Sequence, residues 1–144
     1  MTIRRIRDAE MGAALDLVWR VFLEYEAPDY PEAGVQEFRR SIDDPAWVGA
    51  REFFGAFDDS GEILGVLATK DRTHIALFFV DSARQRQGIG RALYREAQAR
   101  NPGGFFTVNA SPYAHGVYLH LGFHDTAPEQ YVNGLRFFPM KKEA

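Results

Sequence analysis

His74-Ile75-Ala76-Leu77-Phe78-Phe79-Val80 is followed, after Asp81, by Ser82-Ala83-Arg84-Gln85-Arg86-Gln87-Gly88-Ile89-Gly90. The first run is apolar without alternation, the mark of a strand covered on both faces at the centre of a sheet. The second is polar, basic and glycine-bearing. It opens a helix in which Ile89, Ala92, Leu93 and Ala97 share one face until Asn101-Pro102-Gly103 ends it. Glycine lets the backbone come close to a ligand, and the N–H groups and positive dipole end of a helix start favour an anion. Phosphate is the natural guest, and Arg84, Arg86, Arg91 and Arg95 would add guanidinium forks if they surround the loop. Two other phosphate loops do not fit. The dinucleotide pattern G-x-G-x-x-G needs Gly or Ala where Leu93 stands and a close approach to its strand, whereas seven residues separate Val80 from Gly88. The triphosphate loop needs Gly-Lys-Ser/Thr, which is absent. On the loop alone, a solvated arginine-rich helix start is the competing reading.

On the N-terminal side of this centre, Ile3 and Ile6 mark a short strand, and Asp8 is a helix N-cap. Met11, Leu15, Val18 and Phe22 recur at helical spacing as far as Glu26, where Ala27-Pro28-Asp29-Tyr30-Pro31 forbids continuation. Val35, Phe38 and Ile42 predict a second short helix, stopped by Asp43-Asp44-Pro45. Glu52 to Phe57 and Ile63 to Thr69 read as strands joined at Asp58-Asp59-Ser60-Gly61. On the C-terminal side, Phe105 to Ala110 reads as a buried strand, and Ser111-Pro112 as a cap and first position of a helix carrying Ala114, Val117, Tyr118 and Leu121 up to Gly122. Gln130-Tyr131-Val132 and Leu135-Arg136-Phe137-Phe138 flank Asn133-Gly134, a strong hairpin signal.

The 144 residues, 46% of them hydrophobic, suit one domain spanning 1–144 that builds its own core. With no Cys there is no disulfide, thiolate metal cluster or cysteine nucleophile. The net charge of −3 argues against nucleic acid as a partner. No apolar run reaches the ~20 residues that span a bilayer, and Met1-Thr2-Ile3-Arg4-Arg5 lacks a signal peptide's apolar stretch. The expectation is a cytoplasmic protein without a membrane partner. His120 and His124 are separated by Gly122 and lack a third ligand, so no metal is expected.

Gln85-Arg86-Gln87-Gly88-Ile89-Gly90 matches the Q/R-x-x-G-x-G/A signature of the GNAT (Gcn5-related N-acetyltransferase) superfamily. Ala114-His115-Gly116-Val117-Tyr118-Leu119-His120-Leu121-Gly122-Phe123 resembles its second block, a tyrosine-bearing helix ending in Gly-Phe. The element order from residue 3 to about 140 is also similar to that family's. The resemblance implies an α/β (α+β) acyl-CoA N-acyltransferase fold: a mixed, mostly antiparallel twisted sheet of six to seven strands flanked by about four helices. It implies acetyl-CoA as cosubstrate and an amine acceptor. Backbone groups of Phe78 and Val80 would face the thioester and pantetheine, with the Phe78 N–H polarising the acetyl carbonyl. The N–H groups from Arg86 through Gln87, Gly88, Ile89 and Gly90 to Arg91, with Gln85 at the start of the signature, would cradle the pyrophosphate. Asn109 would bind the pantetheine arm, and Tyr118 would serve as general acid for the leaving thiolate. Without the family, the spacing of Tyr118 from Ala114 favours a core aromatic with its hydroxyl at the surface.

An attacking amine must lose a proton. His74 lies fourteen residues before Gly88, the spacing at which the family's histone-modifying members carry a glutamate base. A structural histidine at a strand end is the other reading, and Glu24, Glu26 or a water held by Asn109 are alternative bases. Glu24, Glu26, Asp29 and Glu32, interleaved with Tyr25 and Tyr30, suit a cationic amine or form an ordinary acidic loop. The leading expectation is acetyl transfer to a small cationic amine. Alternatives are a protein lysine or N-terminal amine as acceptor, a non-catalytic acetyl-CoA sensor, and a nucleotide-binding regulatory domain. A homodimer is left open.

Overall fold

The computed structural model describes residues 1–84 and 87–143. Strand β1 (Thr2–Arg5) leads into helix α1 (Met11–Tyr25) through a single 3-10 turn at Asp8–Glu10. Helices α2 (Glu32–Asp43) and α3 (Pro45–Gly49) precede β2 (Glu52–Phe57), β3 (Ile63–Lys70) and β4 (His74–Val80). Then come α4 (Ile89–Ala99), β5 (Phe105–Ala110), α5 (Pro112–His120), β6 (His124–Asp125), β7 (Gln130–Val132) and β8 (Leu135–Glu143).

The result is a mixed α/β fold whose sheet runs β1-β2-β3-β4-β5-β8-β6, with β7 pairing on β8. Only the β4–β5 pair is parallel among the described pairings. Among the described residues, eight strands stand against the expected six to seven because the two-residue β6 adds an edge beside β8. Five helices among them stand against the expected four or so because Asp43-Asp44-Pro45 does not end the helical region. Asp44 accepts a hydrogen bond from the Ala46 N–H (2.9 Å) and Pro45 takes the first position of α3, so the same residues that stop one helix start the next. Asp8 likewise begins a 3-10 turn rather than α1 itself. The final hairpin turns at Asn133 and Gly134, both at positive φ as its sequence demands (53° and 82°).

One core lies on each face of the sheet. On one face, Ala14, Leu17, Val18, Val21 and Phe22 of α1 pack with Leu77 and Phe79 of β4. On the other, Ile89, Leu93, Tyr94 and Ala97 of α4 pack with Ile75, Val108, Tyr118 and Phe123. Strand β4 therefore has apolar cover on both sides, which is why its sequence does not alternate. Ile75 and, three and five residues on, Phe78 and Val80 share the α4 side. A bulge causes this: β3 residues Ala68 and Thr69 face Leu77 and Ile75, so Ala76 is an extra residue that reverses the alternation.

The tip of the last hairpin rests directly on α2. A Cβ at Gly34 would overlap the Gly134 carbonyl, and one at Gly134 would strike the Gly34 backbone. The Tyr30 hydroxyl adds a hydrogen bond to the Arg136 carbonyl (3.1 Å). Gly34→Ala should force the hairpin away, costing about 1–3 kcal/mol as overpacking does; a thermal melt checks this.

Candidate active site

Strands β4 and β5 pair only at His74–Thr107 and Ile75–Val108 and then part. The remaining half of β4 keeps β3 on one edge and a gap on the other. The Asp81 N–H donates to the Leu64 carbonyl (2.9 Å). In the same register Phe79 opposes Val66 and Leu77 opposes Ala68. Since antiparallel bonding alternates, Phe78 and Val80 turn their N–H and C=O groups away from β3, toward the gap.

Two cavities meet across this gap. One, of about 520 Å³, lies between β4, the start of α4 and one side of α5; Val80, Gly88, Gly90 and Tyr113 line it. The other, of about 450 Å³, lies under α2 and the β7–β8 hairpin; Tyr30, Trp47, Arg51, His74 and Asn109 line it. Glu26, Phe78, Phe79, Ala114 and Tyr118 border both.

The start of α4 is shaped by Gly88, which caps the helix in the left-handed region (φ 79°), a conformation that glycine adopts without steric cost. A Cβ on Gly90 would lie 3.6 Å from the Phe78 ring and 3.7 Å from Val80, inside the first cavity. Arg84 and Arg91 also line it. Gln87 is exposed, and the Ile89 side chain is buried in the core, so Ile89 has only its backbone to offer a ligand. Gln85 and Arg86 lie outside the described residues.

Ser111 accepts a hydrogen bond from the Ala114 N–H (3.1 Å) as the cap of α5, with Pro112 behind it. This start sets Tyr118 facing inward, 5% exposed, edge-on to Phe78 (centroids 6.3 Å apart) and to Phe123 (5.2 Å). Burial, reinforced by the charge of Glu26, pushes its hydroxyl well above the usual phenol range. It therefore stays protonated at any working pH.

Glu26 follows the last residue of α1, and its N–H still donates to the Phe22 carbonyl (2.9 Å). Burial, aided by Asp29 and opposed by the Ser111 hydroxyl, pushes its carboxyl up to about 7. Of the acidic segment, only Glu26 and Tyr30 line the second cavity; Tyr25 lines the first, and Glu24, Asp29 and Glu32 are exposed. His74 sits at the opposite end of β4 from Phe78, with Nδ1 2.9 Å from the Thr107 hydroxyl. Burial, then the charges of Arg51 and Lys70, hold its imidazole below its ordinary pKa. Asn109 is exposed and borders the second cavity, not the first.

The sequence profile of the acetyltransferase (GNAT) domain matches residues 26–144. The chain belongs to the GNAT family. It is accordingly an acetyl-CoA-dependent N-acetyltransferase. No curated protein sequence matches it. Among solved structures, it is similar to a GCN5-related N-acetyltransferase from Rhodopseudomonas palustris, with 21% identity, 99% of this chain and 95% of that one covered and a TM-score of 0.77. It is also similar to YjaB from Escherichia coli in its apo form (18%, 97% and 95%, 0.78). The PaiA N-acetyltransferase of Thermoplasma acidophilum, solved with coenzyme A, is a third such fold (17%, 99% and 98%, 0.74). This GNAT chain has no helix long and apolar enough to cross a membrane among its described residues.

Sequence reasoning singled out Gly88, Phe78 and Tyr118 but had no signal that would rank Glu26 above Glu24. The helix period supplies one: Glu26, just past the end of α1, stands four residues after buried Phe22 and so continues its face, while Glu24 does not. Arg51, which lines the second cavity, carries no sequence signal beyond following Trp47 by four residues.

Proposed function

We propose that this enzyme transfers the acetyl group of acetyl-CoA directly to a small primary amine, the cosubstrate occupying the cavity at α4 and the amine the cavity under the hairpin. The observation that carries this reading is the junction of the two cavities at Glu26, Phe78 and Tyr118. The residues present fit the cosubstrate: the left-handed glycine start of α4 offers N–H groups to a pyrophosphate, and Gly90 leaves open the space that a side chain would fill. Acetyl-CoA supplies an electrophilic thioester carbonyl. Glu26, with its carboxyl near 7, attracts the ammonium and takes its proton. The Phe78 N–H, left without a β-partner where β4 and β5 separate, donates to the carbonyl oxygen as negative charge develops there. Tyr118 donates its hydroxyl proton to the thiolate released as the carbon–sulfur bond breaks.

For the base, the geometry supports Glu26 over His74. Three β4 residues, one of them the bulged Ala76, separate His74 from Phe78, on the order of 10 Å, so the imidazole would act only through intervening water. A small acceptor is favoured over a protein side chain by the hairpin, which closes over the cavity through the Gly34–Gly134 contact. Gly34→Ala should then raise the KM for the amine several-fold while acetyl-CoA affinity is unaltered.

Titration calorimetry with acetyl-CoA and ATP side by side tests the cofactor assignment. Acetyl-CoA should bind and ATP should bind far more weakly or not at all, since nothing in the loop supplies the Lys of a triphosphate site. Gly90→Val should weaken acetyl-CoA by about tenfold or more, because its branches enter the groove beside Phe78. Equal binding of both nucleotides, or full acetyl-CoA affinity in folded Gly90→Val, would contradict the assignment.

A further inference from the structure

The second cavity carries opposite charges at its two ends. Glu26 stands at the junction with the cofactor cavity and forms no ion pair among the described residues. The other acidic lining residue, Glu37, is taken by Arg40 (2.6 Å), and the lining Arg136 by Glu129 (3.0 Å). That leaves Arg51. Its guanidinium lies 3.7 Å from the centre of the Trp47 ring, and Nη1 donates to the Trp47 carbonyl (2.7 Å). Its Nε is buried with no hydrogen-bond partner, and no carboxylate lies within ion-pair distance among the described residues. Burial pulls the guanidinium down from its ordinary pKa, with only Asp71 opposing. Removing a cation from water without a counter-ion is unfavourable. A guanidinium held over an indole ring and short of acceptors is suited to receive a planar or tetrahedral anion through its remaining donors.

We propose that the acceptor is a primary amine bearing an anionic group, carboxylate or phosphate, at the far end of its chain, with the ammonium at Glu26 and the anion at Arg51. This deepens the acetyl-transfer reading and rests on it. The spacing limits the class further. Arg51 lies beside His74 and Glu26 borders the cavity beside Phe78; with three β4 residues between His74 and Phe78, one of them the bulged Ala76, the charged ends stand on the order of 10 Å apart. An α-amino acid, with amine and carboxylate on one carbon, does not reach both; an ω-amino acid or an amine with a distal phosphate does. His74, beside Arg51, adds a ring nitrogen to the anion end.

The test is steady-state kinetics with ω-aminoalkanoates of increasing chain length, ω-aminoalkyl phosphates of the same lengths, and matched unsubstituted alkylamines. In the parent enzyme the anionic amines of sufficient length should show a kcat/KM about tenfold or more above that of the matched alkylamine, the size of one charge-assisted contact. The carboxylate and phosphate arms distinguish which anion is preferred. In Arg51→Gln this advantage should disappear, and Arg51→Lys should restore part of it, with acetyl-CoA affinity measured in each variant to show that the fold is intact. Equal turnover of anionic and plain amines by the parent overturns the anion subsite and leaves acetyl transfer standing. Binding of acetyl-CoA with no turnover of any probe overturns the substrate class. Failure to bind acetyl-CoA overturns both.

Discussion

Tyr118→Phe should lower turnover by about 10²–10⁴, the range for loss of one positioned proton donor, while acetyl-CoA affinity and melting temperature stay close to parental values. The substitution removes one oxygen and keeps the ring. The edge-on contacts with Phe78 and Phe123 that hold Tyr118 in place are contacts of the ring, so the packing persists. What is lost is a hydroxyl kept protonated by its burial and by the nearby Glu26 charge. Steady-state rates, calorimetric affinity and a thermal melt on one preparation separate the two roles. A fall in stability with unaltered turnover would mark Tyr118 as a core residue alone.

Glu26→Gln is expected to have the second large effect, and it acts on both rate and stability. A base must be ionised to work, so with its carboxyl near 7 the parental kcat/KM should climb with pH up to about 7 and then level. The glutamine variant should lose about 10²–10⁴ in kcat/KM and lack that inflection. His74→Ala should keep it, because the imidazole lies at the other end of β4. The linkage to stability has a definite sign. The folded protein holds the Glu26 carboxyl above its ordinary value of 4.5, chiefly through burial, so the fold favours the protonated form. The resulting stabilisation is fully present below 4.5 and is lost as pH rises through about 7. The melting temperature of the parent, relative to Glu26→Gln, should therefore decline between pH 5 and pH 8. A parallel pH dependence in the two proteins would show that Glu26 is not a buried titrating carboxyl.

The centre of the fold was legible because strong local signals there agree with tertiary structure. The unbroken apolar run of β4 reflects cover on both faces, and Ser111-Pro112 and Asn133-Gly134 specify their backbone conformations by chemistry alone. Where one signal carried two meanings, the sequence misled. Asp44-Pro45 reads as a stop after α2, yet an aspartate cap with proline at the first position is equally a start, and α3 follows from it. The bulge at Ala76 has no sequence mark, although it places Phe78 and Val80 on the α4 side. The site divides in the same way. The cavity proposed for the cosubstrate is lined by Gly88, Gly90 and Arg91 at the start of α4, residues close in sequence, so spacing alone suggests it. The cavity proposed for the acceptor is assembled from α1, α2, the turn before β2, and a hairpin more than eighty residues later; Glu26 and Arg51 line that one cavity although twenty-four residues lie between them in sequence. The close approach of Gly34 and Gly134 is likewise invisible until the hairpin has docked on α2.

Amine-dependent release of free thiol from acetyl-CoA, with the acetylated product identified by mass, tests the central claim most directly. With a broad panel of primary amines that includes distally anionic ones, the enzyme should release thiol in step with acetylated amine, and Tyr118→Phe should abolish most of both signals. Tight binding of acetyl-CoA with neither thiol release nor acetylated product from any amine would contradict it and leave a cofactor-binding sensor in its place.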